Sequence, residues 1–205
     1  MYVCILNVNR TTMQNRHKKH IIYTGWVMAL GSLLLLNGCK KGMDPEPADE
    51  NELITTVILR FTQQGTTNTQ TVSYQDKDGD GGAAPTKFDA ITLTTNTSYS
   101  LTVDLLDESK TPVRSATDEI KKEVDEHLFV YTSNPATLLT YTYGDKDSRN
   151  FPVGLTGTVR TGAVGTGKLK VQLRHQPPIN GIAVKNGTVA PGSDDVNLDF
   201  TLTVR

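Results

Sequence analysis

Beyond position 39 the chain has no cysteine, so its folded part is held by packing alone, without a disulfide and without a thiolate nucleophile. There is no G-x-S-x-G, which removes the usual setting for a serine nucleophile. No H-x-x-x-H pair marks a helical metal site. The one phosphate-loop-like stretch, GAVGTG at 162–167, lacks the G-K-[ST] ending and falls between two strand patterns, so a hairpin turn is expected there. The longest apolar run, Ile21 to Leu36, is short for a bilayer span. Basic excess is missing too. The whole chain carries 21 basic and 22 acidic residues, a balance that argues against a nucleic-acid partner.

That apolar run follows the basic stretch Arg16-His17-Lys18-Lys19-His20 and has the length of a signal-peptide core. It ends in Leu36-Asn37-Gly38-Cys39, which resembles the lipobox of bacterial lipoproteins. The resemblance implies cleavage before Cys39 and lipidation of its sulfur, with residues 1–38 as the signal peptide. The twelve residues ahead of Met13 add nothing such a peptide needs, which makes Met13 the expected start. Removing 38 of the 205 residues takes away four basic side chains and no acid, so the mature chain of 167 residues has a net charge of −5. Residues 39–52 carry two prolines and the acids Asp44, Glu46, Asp49, Glu50 and Glu52, with almost nothing to bury; this reads as a disordered tether. At ~3.3 Å per residue it reaches up to ~40 Å. An acidic stretch soon after a lipidated cysteine also resembles the export signal that sends Bacteroidetes lipoproteins to the cell surface.

From Leu53 to Arg205 the apolar spacing is two. In DVNLDFTLTVR, Val196, Leu198, Phe200, Leu202 and Val204 fall on one face. Leu169, Val171 and Leu173 repeat the pattern, as do Val57, Leu59 and Phe61, and Leu139, Tyr141 and Tyr143. Such alternation is that of an antiparallel sheet with one face buried and one wet. About 150 residues and about eight strands predict a single all-β domain, an antiparallel β-sandwich. LTTNTSYSLTV, with Leu93 six residues before Tyr99, is similar to the tyrosine corner of fibronectin type III and immunoglobulin-like domains. That likeness implies a tyrosine hydroxyl pinning a crossover between sheets. One exception to strand is SATDEIKKEVDEH, where Ser115 or Thr117 can cap and Ile120, Val124 and Leu128 recur at helical spacing, predicting a helix of about ten residues.

The residues with chemistry to offer are mostly aspartates. In QDKDGDGG, Asp76, Asp78 and Asp80 take positions 1, 3 and 5 of a D-x-D-x-D-G pattern, with Gly81 at position 6. Position 12, where an EF-hand places a bidentate glutamate, is Lys87, and a strand pattern precedes the motif. This excludes an EF-hand. It leaves open a Ca²⁺ loop between strands and a solvated acidic hairpin whose glycines supply positive φ. A near-copy sharpens the choice: TVSYQDKDG at 71–79 is matched by TYTYGDKDS at 140–148. If both strands run the same way, Asp145 and Asp147, with Asn150, could complete a Ca²⁺ site begun by Asp76, Asp78 and Asp80. Such a site requires the Asp76 and Asp145 carboxylates within about 10 Å. Of the two mature histidines, His127 follows Glu123 at i,i+4 and adjoins Glu126, and His175 continues the inward stripe of Leu169, Val171 and Leu173. A core-edge histidine satisfied by backbone and a Glu/His metal site are the two readings of His175.

Six phrases together resemble a family of small Bacteroidetes lipoproteins: ELITTVILRF, DKDGDGGAAP, NTSYSLTVDLLDES, EVDEHLFVYT, PVGLTGTVRTG and LKVQLRHQP. Members are often labelled type 1 periplasmic binding fold proteins. That label implies two α/β domains with crossover helices, whereas the periodicity implies strands. The expectation is a lipid-anchored binding or structural module of the outer membrane, joined to the membrane through Cys39, with Ca²⁺ at the acidic turns as its candidate cofactor. A small-ligand carrier and a metal-dependent accessory enzyme using the acidic turns and His127 are the alternatives.

Overall fold

A computed structural model describes residues 53–79 and 82–205. Its elements are β1 (Thr56–Gln63), β2 (Thr69–Gln75), β3 (Lys87–Phe88), β4 (Ile91–Leu93), β5 (Ser98–Asp107), β6 (Arg114–Ser115), α1 (Ala116–Ile120), β7 (His127–Asn134), β8 (Leu139–Tyr143), β9 (Thr156–Thr161), β10 (Gly165–His175) and β11 (Ser193–Val204). They form two facing sheets. One runs β3-β2-β1-β5-β9-β8, with β6 also on β5; the other runs β4-β11-β10-β7. The fold is an all-β sandwich with one short helix, as the period-two pattern predicts.

Alternation explains the packing. Tyr99, Leu101, Val103 and Leu105 on β5 turn inward beside Val57, Leu59 and Phe61 on β1, and meet Leu169, Val171 and Leu173 of β10 and Phe200, Leu202 and Val204 of β11 in one core. Burying one such side chain stabilises the fold by about 1.5–3 kcal/mol, which is how a chain with no cross-link holds two sheets together. The likeness to a tyrosine corner has its physical counterpart here. Residues 94–97 carry the chain from β4 in one sheet to β5 in the other, and the Tyr99 hydroxyl accepts the Thr94 N–H at 2.9 Å beside buried Leu93.

Three local expectations are corrected. The helix has five residues, not about ten: Ser115 caps it by accepting the Asp118 N–H, but it stops at Ile120. The stretch from His127 pairs instead with β10, and the ladder from His127↔His175 to Asn134↔Lys168 overrides the helical spacing of Val124 and Leu128. GAVGTG is not a hairpin turn. It joins β9 in one sheet to β10 in the other, so the two strands never pair. Finally, β4 runs parallel to β11, an exception to the antiparallel plan at a sheet edge.

Candidate functional site

The two DKD turns do emerge at the same end of one sheet, because β2 and β8 are four antiparallel steps apart and so run in the same direction. The structure does not bring them together. Four strand spacings separate them by about 19 Å across the sheet. Along it, the ladders align Tyr74 with Leu105 but its counterpart Tyr143 with Leu101, an offset of four residues or about 13 Å. The shared Ca²⁺ site expected of Asp76, Asp78, Asp80, Asp145 and Asp147 therefore lacks the required proximity. Asp80, like Cys39 and the tether, lies outside the described residues.

Local bonding accounts for most of these carboxylates. Asp145 accepts the Gly154 N–H at 2.7 Å and the Thr156 N–H at 3.0 Å, one on each oxygen, and so stitches its turn to the start of β9. Asp147 accepts the Arg149 and Phe151 N–H groups on Oδ1, at 2.9 and 2.8 Å, while its Oδ2 lies 3.0 Å from Lys185 Nζ. Both side chains of that ion pair are fully buried. Burial pushes the Lys185 ammonium below its usual range, against the pull of Asp147. Lys185 also donates to the Val124 carbonyl at 2.7 Å. Asp78 accepts the Ala83 N–H at 2.7 Å, which holds its carboxyl below the ordinary range. Gly79, at φ 75°, makes the bend, and a Cβ on Gly82 would collide with the Asp78 carboxylate. Asp76 is buried, with Oδ2 3.2 Å from the Tyr74 hydroxyl.

A different constellation stands out at the start of β7 and the end of β10. The ladder places His127 directly opposite His175, and their imidazoles stack with centroids 4.7 Å apart and planes 2° from parallel. The third member is Asp195 on β11. Leu173 pairs with Val196 but Arg174 pairs with Asp194, so Asp195 is the extra residue of a β-bulge. The bulge turns its side chain inward, to zero exposure, with Oδ2 3.6 Å from His127 Nε2. One ligand atom from each of His127, His175 and Asp195 lies within 4.8 Å of the others. These three could hold a metal ion.

The polar atoms of this cluster are sparsely satisfied. His127 Nδ1 lies 3.0 Å from the Glu123 carbonyl, so the carbonyl fixes a proton on Nδ1. The link to Glu123 thus runs through its backbone and not through the carboxylate that the i,i+4 spacing suggested. His127 Nε2 and both Asp195 oxygens have no hydrogen-bond partner among the described residues. Glu126 stands outside the cluster, its carboxylate 3.9 Å from His175 Nε2. His175 is a core-edge residue, as its place on the inward stripe predicts. Asp195 escaped the sequence reading because strict alternation from Val196 points it to solvent; the only hint was the Asp194-Asp195 doublet at the strand start.

Two clefts flank the cluster. One, of about 280 Å³, opens between the sheets among Ile54, Val57, Tyr74 and Leu198, with Asp76 and Asp195 on its wall. The other, of about 420 Å³, is lined by His175, Pro177, Pro178, Val184 and Gly192. The long β10–β11 connection shapes this second cleft: the Gln176 amide donates to the Thr188 and Pro191 carbonyls, and Gly192, at φ 88°, passes too close to the His175 carbonyl for any Cβ. No family model, no curated protein and no solved structure matches the chain.

Proposed function

We propose that this protein is a lipid-anchored binding or structural module of a Gram-negative outer membrane, displayed at the cell surface and without catalytic activity of its own. Cys39 is the anchor, residues 40–52 the tether, and the sandwich the part that meets other envelope components. The observation that carries this reading is the lipobox-like Leu36-Asn37-Gly38-Cys39 followed by an acidic tether and then a single sandwich. The resemblance to Bacteroidetes lipoproteins supports the same assignment.

The test is metabolic labelling with an alkyne-bearing fatty acid in a Gram-negative host, followed by fractionation and protease treatment of intact cells. The wild-type chain should take up label, sediment with outer membrane and be digested from outside. Cys39→Ala should lose the label. Equal labelling of Cys39→Ala would refute the anchor, and complete protection from protease would refute surface display.

A further inference from the structure

We propose that His127, His175 and Asp195 form a buried binding site for a divalent transition-metal ion of the Zn²⁺ type. The argument is one of donors and acceptors. The Glu123 carbonyl can only accept, so Nδ1 of His127 carries the hydrogen and the neutral ring presents a lone pair at Nε2. That lone pair faces a carboxylate, which also only accepts. The Nε2 edge of His127 and the Asp195 carboxylate thus face each other with no exposed side-chain surface and no hydrogen-bond donor between them. Buried polar atoms left without partners are costly, and a group bridging two acceptors has to donate hydrogen or carry positive charge.

Water, a proton and a metal ion are the candidates, and a water ~2.8 Å from each acceptor would hold them about 4.4 Å apart, wider than the 3.6 Å between Nε2 and Oδ2. A proton on Nε2 would make an N–H···O bond, but 3.6 Å is beyond the range of such bonds. It would also leave the other Asp195 oxygen unpartnered. A tetrahedral ion with ligands at about 2.0–2.1 Å holds neighbouring ligand atoms about 3.3–3.4 Å apart, so the Nε2–Oδ2 pair, at 3.6 Å, need close by only a few tenths of an ångström. The pairing of Nδ1 with a backbone carbonyl is the outer-shell arrangement that orients a ligating histidine. Two imidazoles and a carboxylate suit Zn²⁺ and its neighbours over the hard ions Ca²⁺ and Mg²⁺, which take mostly oxygen.

The geometry also says what must move. Parallel stacked rings cannot both aim an in-plane lone pair at one ion. His127 is fixed by Glu123 and fully buried, so His175 is the ring that turns. It lies at a strand end against the roughly 420 Å³ cleft, with Glu126 beside it to receive its other N–H. That cleft gives the ion an entry route and a position for a fourth ligand. The fourth ligand is water or a side chain of a partner. The site does not depend on the lipid anchor, since all three ligands belong to the sandwich.

The test uses the purified full-length protein stripped with chelator. Zn²⁺ is titrated in competition with a chromophoric chelator, and Co²⁺ is added separately to read the visible spectrum. The expected result is a single Zn²⁺ per chain, a Co²⁺ spectrum of tetrahedral nitrogen–oxygen ligation, and no response to Ca²⁺ or Mg²⁺. Asp195→Asn preserves shape and removes the anionic ligand, so it should weaken Zn²⁺ by at least about tenfold, as should His175→Gln. His127→Gln should do the same, and if it does not fold the other two variants and the Co²⁺ spectrum decide. Absence of Zn²⁺ binding by the wild-type chain would overturn the proposal, and so would unchanged affinity in Asp195→Asn.

Discussion

Asp147 and Asp195 are both aspartates with wholly buried side chains in one small domain, and they are treated in opposite ways. Asp147 has two backbone N–H donors and a buried lysine. Asp195 has no donor among the described residues and faces the unpartnered nitrogen of a histidine. In the first case the fold supplies the positive charge from its own sequence. In the second the same chain has buried a carboxylate that no donor among the described residues reaches. A buried carboxylate is therefore uninformative by type; its donor set decides whether it is structural or is a place for a cation.

The strongest way to break this contrast is to make Asp147 resemble Asp195. Lys185→Met strips the counter-charge from a buried pair and should cost about 3–5 kcal/mol in urea unfolding. The double variant with Asp147→Leu should recover most of that loss. An undiminished midpoint in Lys185→Met would mean that the two backbone donors suffice for Asp147. The converse experiment relieves Asp195. In metal-free protein, Asp195→Asn lets an amide N–H meet His127 Nε2, so stability should rise by about 1–3 kcal/mol. Saturating Zn²⁺ should reverse the ranking, because only the wild-type chain gains the binding energy. A variant less stable than wild type under both conditions would show that Asp195 is already satisfied.

Two smaller effects sharpen the scale. Tyr99→Phe deletes one hydrogen bond at the crossover between sheets, and should lower stability by about 1 kcal/mol without altering Zn²⁺ affinity. Ca²⁺ should leave the thermal midpoint of the full chain where EDTA leaves it, since the Asp145 oxygens are engaged by backbone amides and the two DKD turns are far apart. A Ca²⁺-dependent rise in the midpoint would restore a single-turn site at Asp76, Asp78 and Asp80.

How much of this was legible in sequence depends on whether a feature is local. Strands announced themselves through alternation where it is regular: the period-two runs became β1, β8, β10 and β11, whereas β7 opens with three successive buried residues and β3, β4 and β6, of two or three residues, are too short to carry a period. The tyrosine corner was readable because its partners lie within a few residues. The helix was overestimated because the pairing of His127 with His175 is decided by a strand 48 positions away. GAVGTG has the composition of a hairpin, and nothing local says that its flanking strands belong to different sheets. Likewise the twin DKD turns look like a pair in sequence, but strand order separates them. Asp195 was hidden by the rule that found the strand. Alternation assigns each residue a side, and a bulge suspends the rule at the one position where the site is built.

The most direct measurement is anomalous diffraction from crystals of the Zn²⁺-treated protein, with data collected on both sides of the zinc absorption edge. The account predicts a single strong peak about 2.0–2.1 Å from His127 Nε2 and from an Asp195 oxygen, with the His175 ring turned out of its parallel stack. No peak, together with His127 Nε2 hydrogen-bonded to Asp195 at about 2.8 Å, would contradict it.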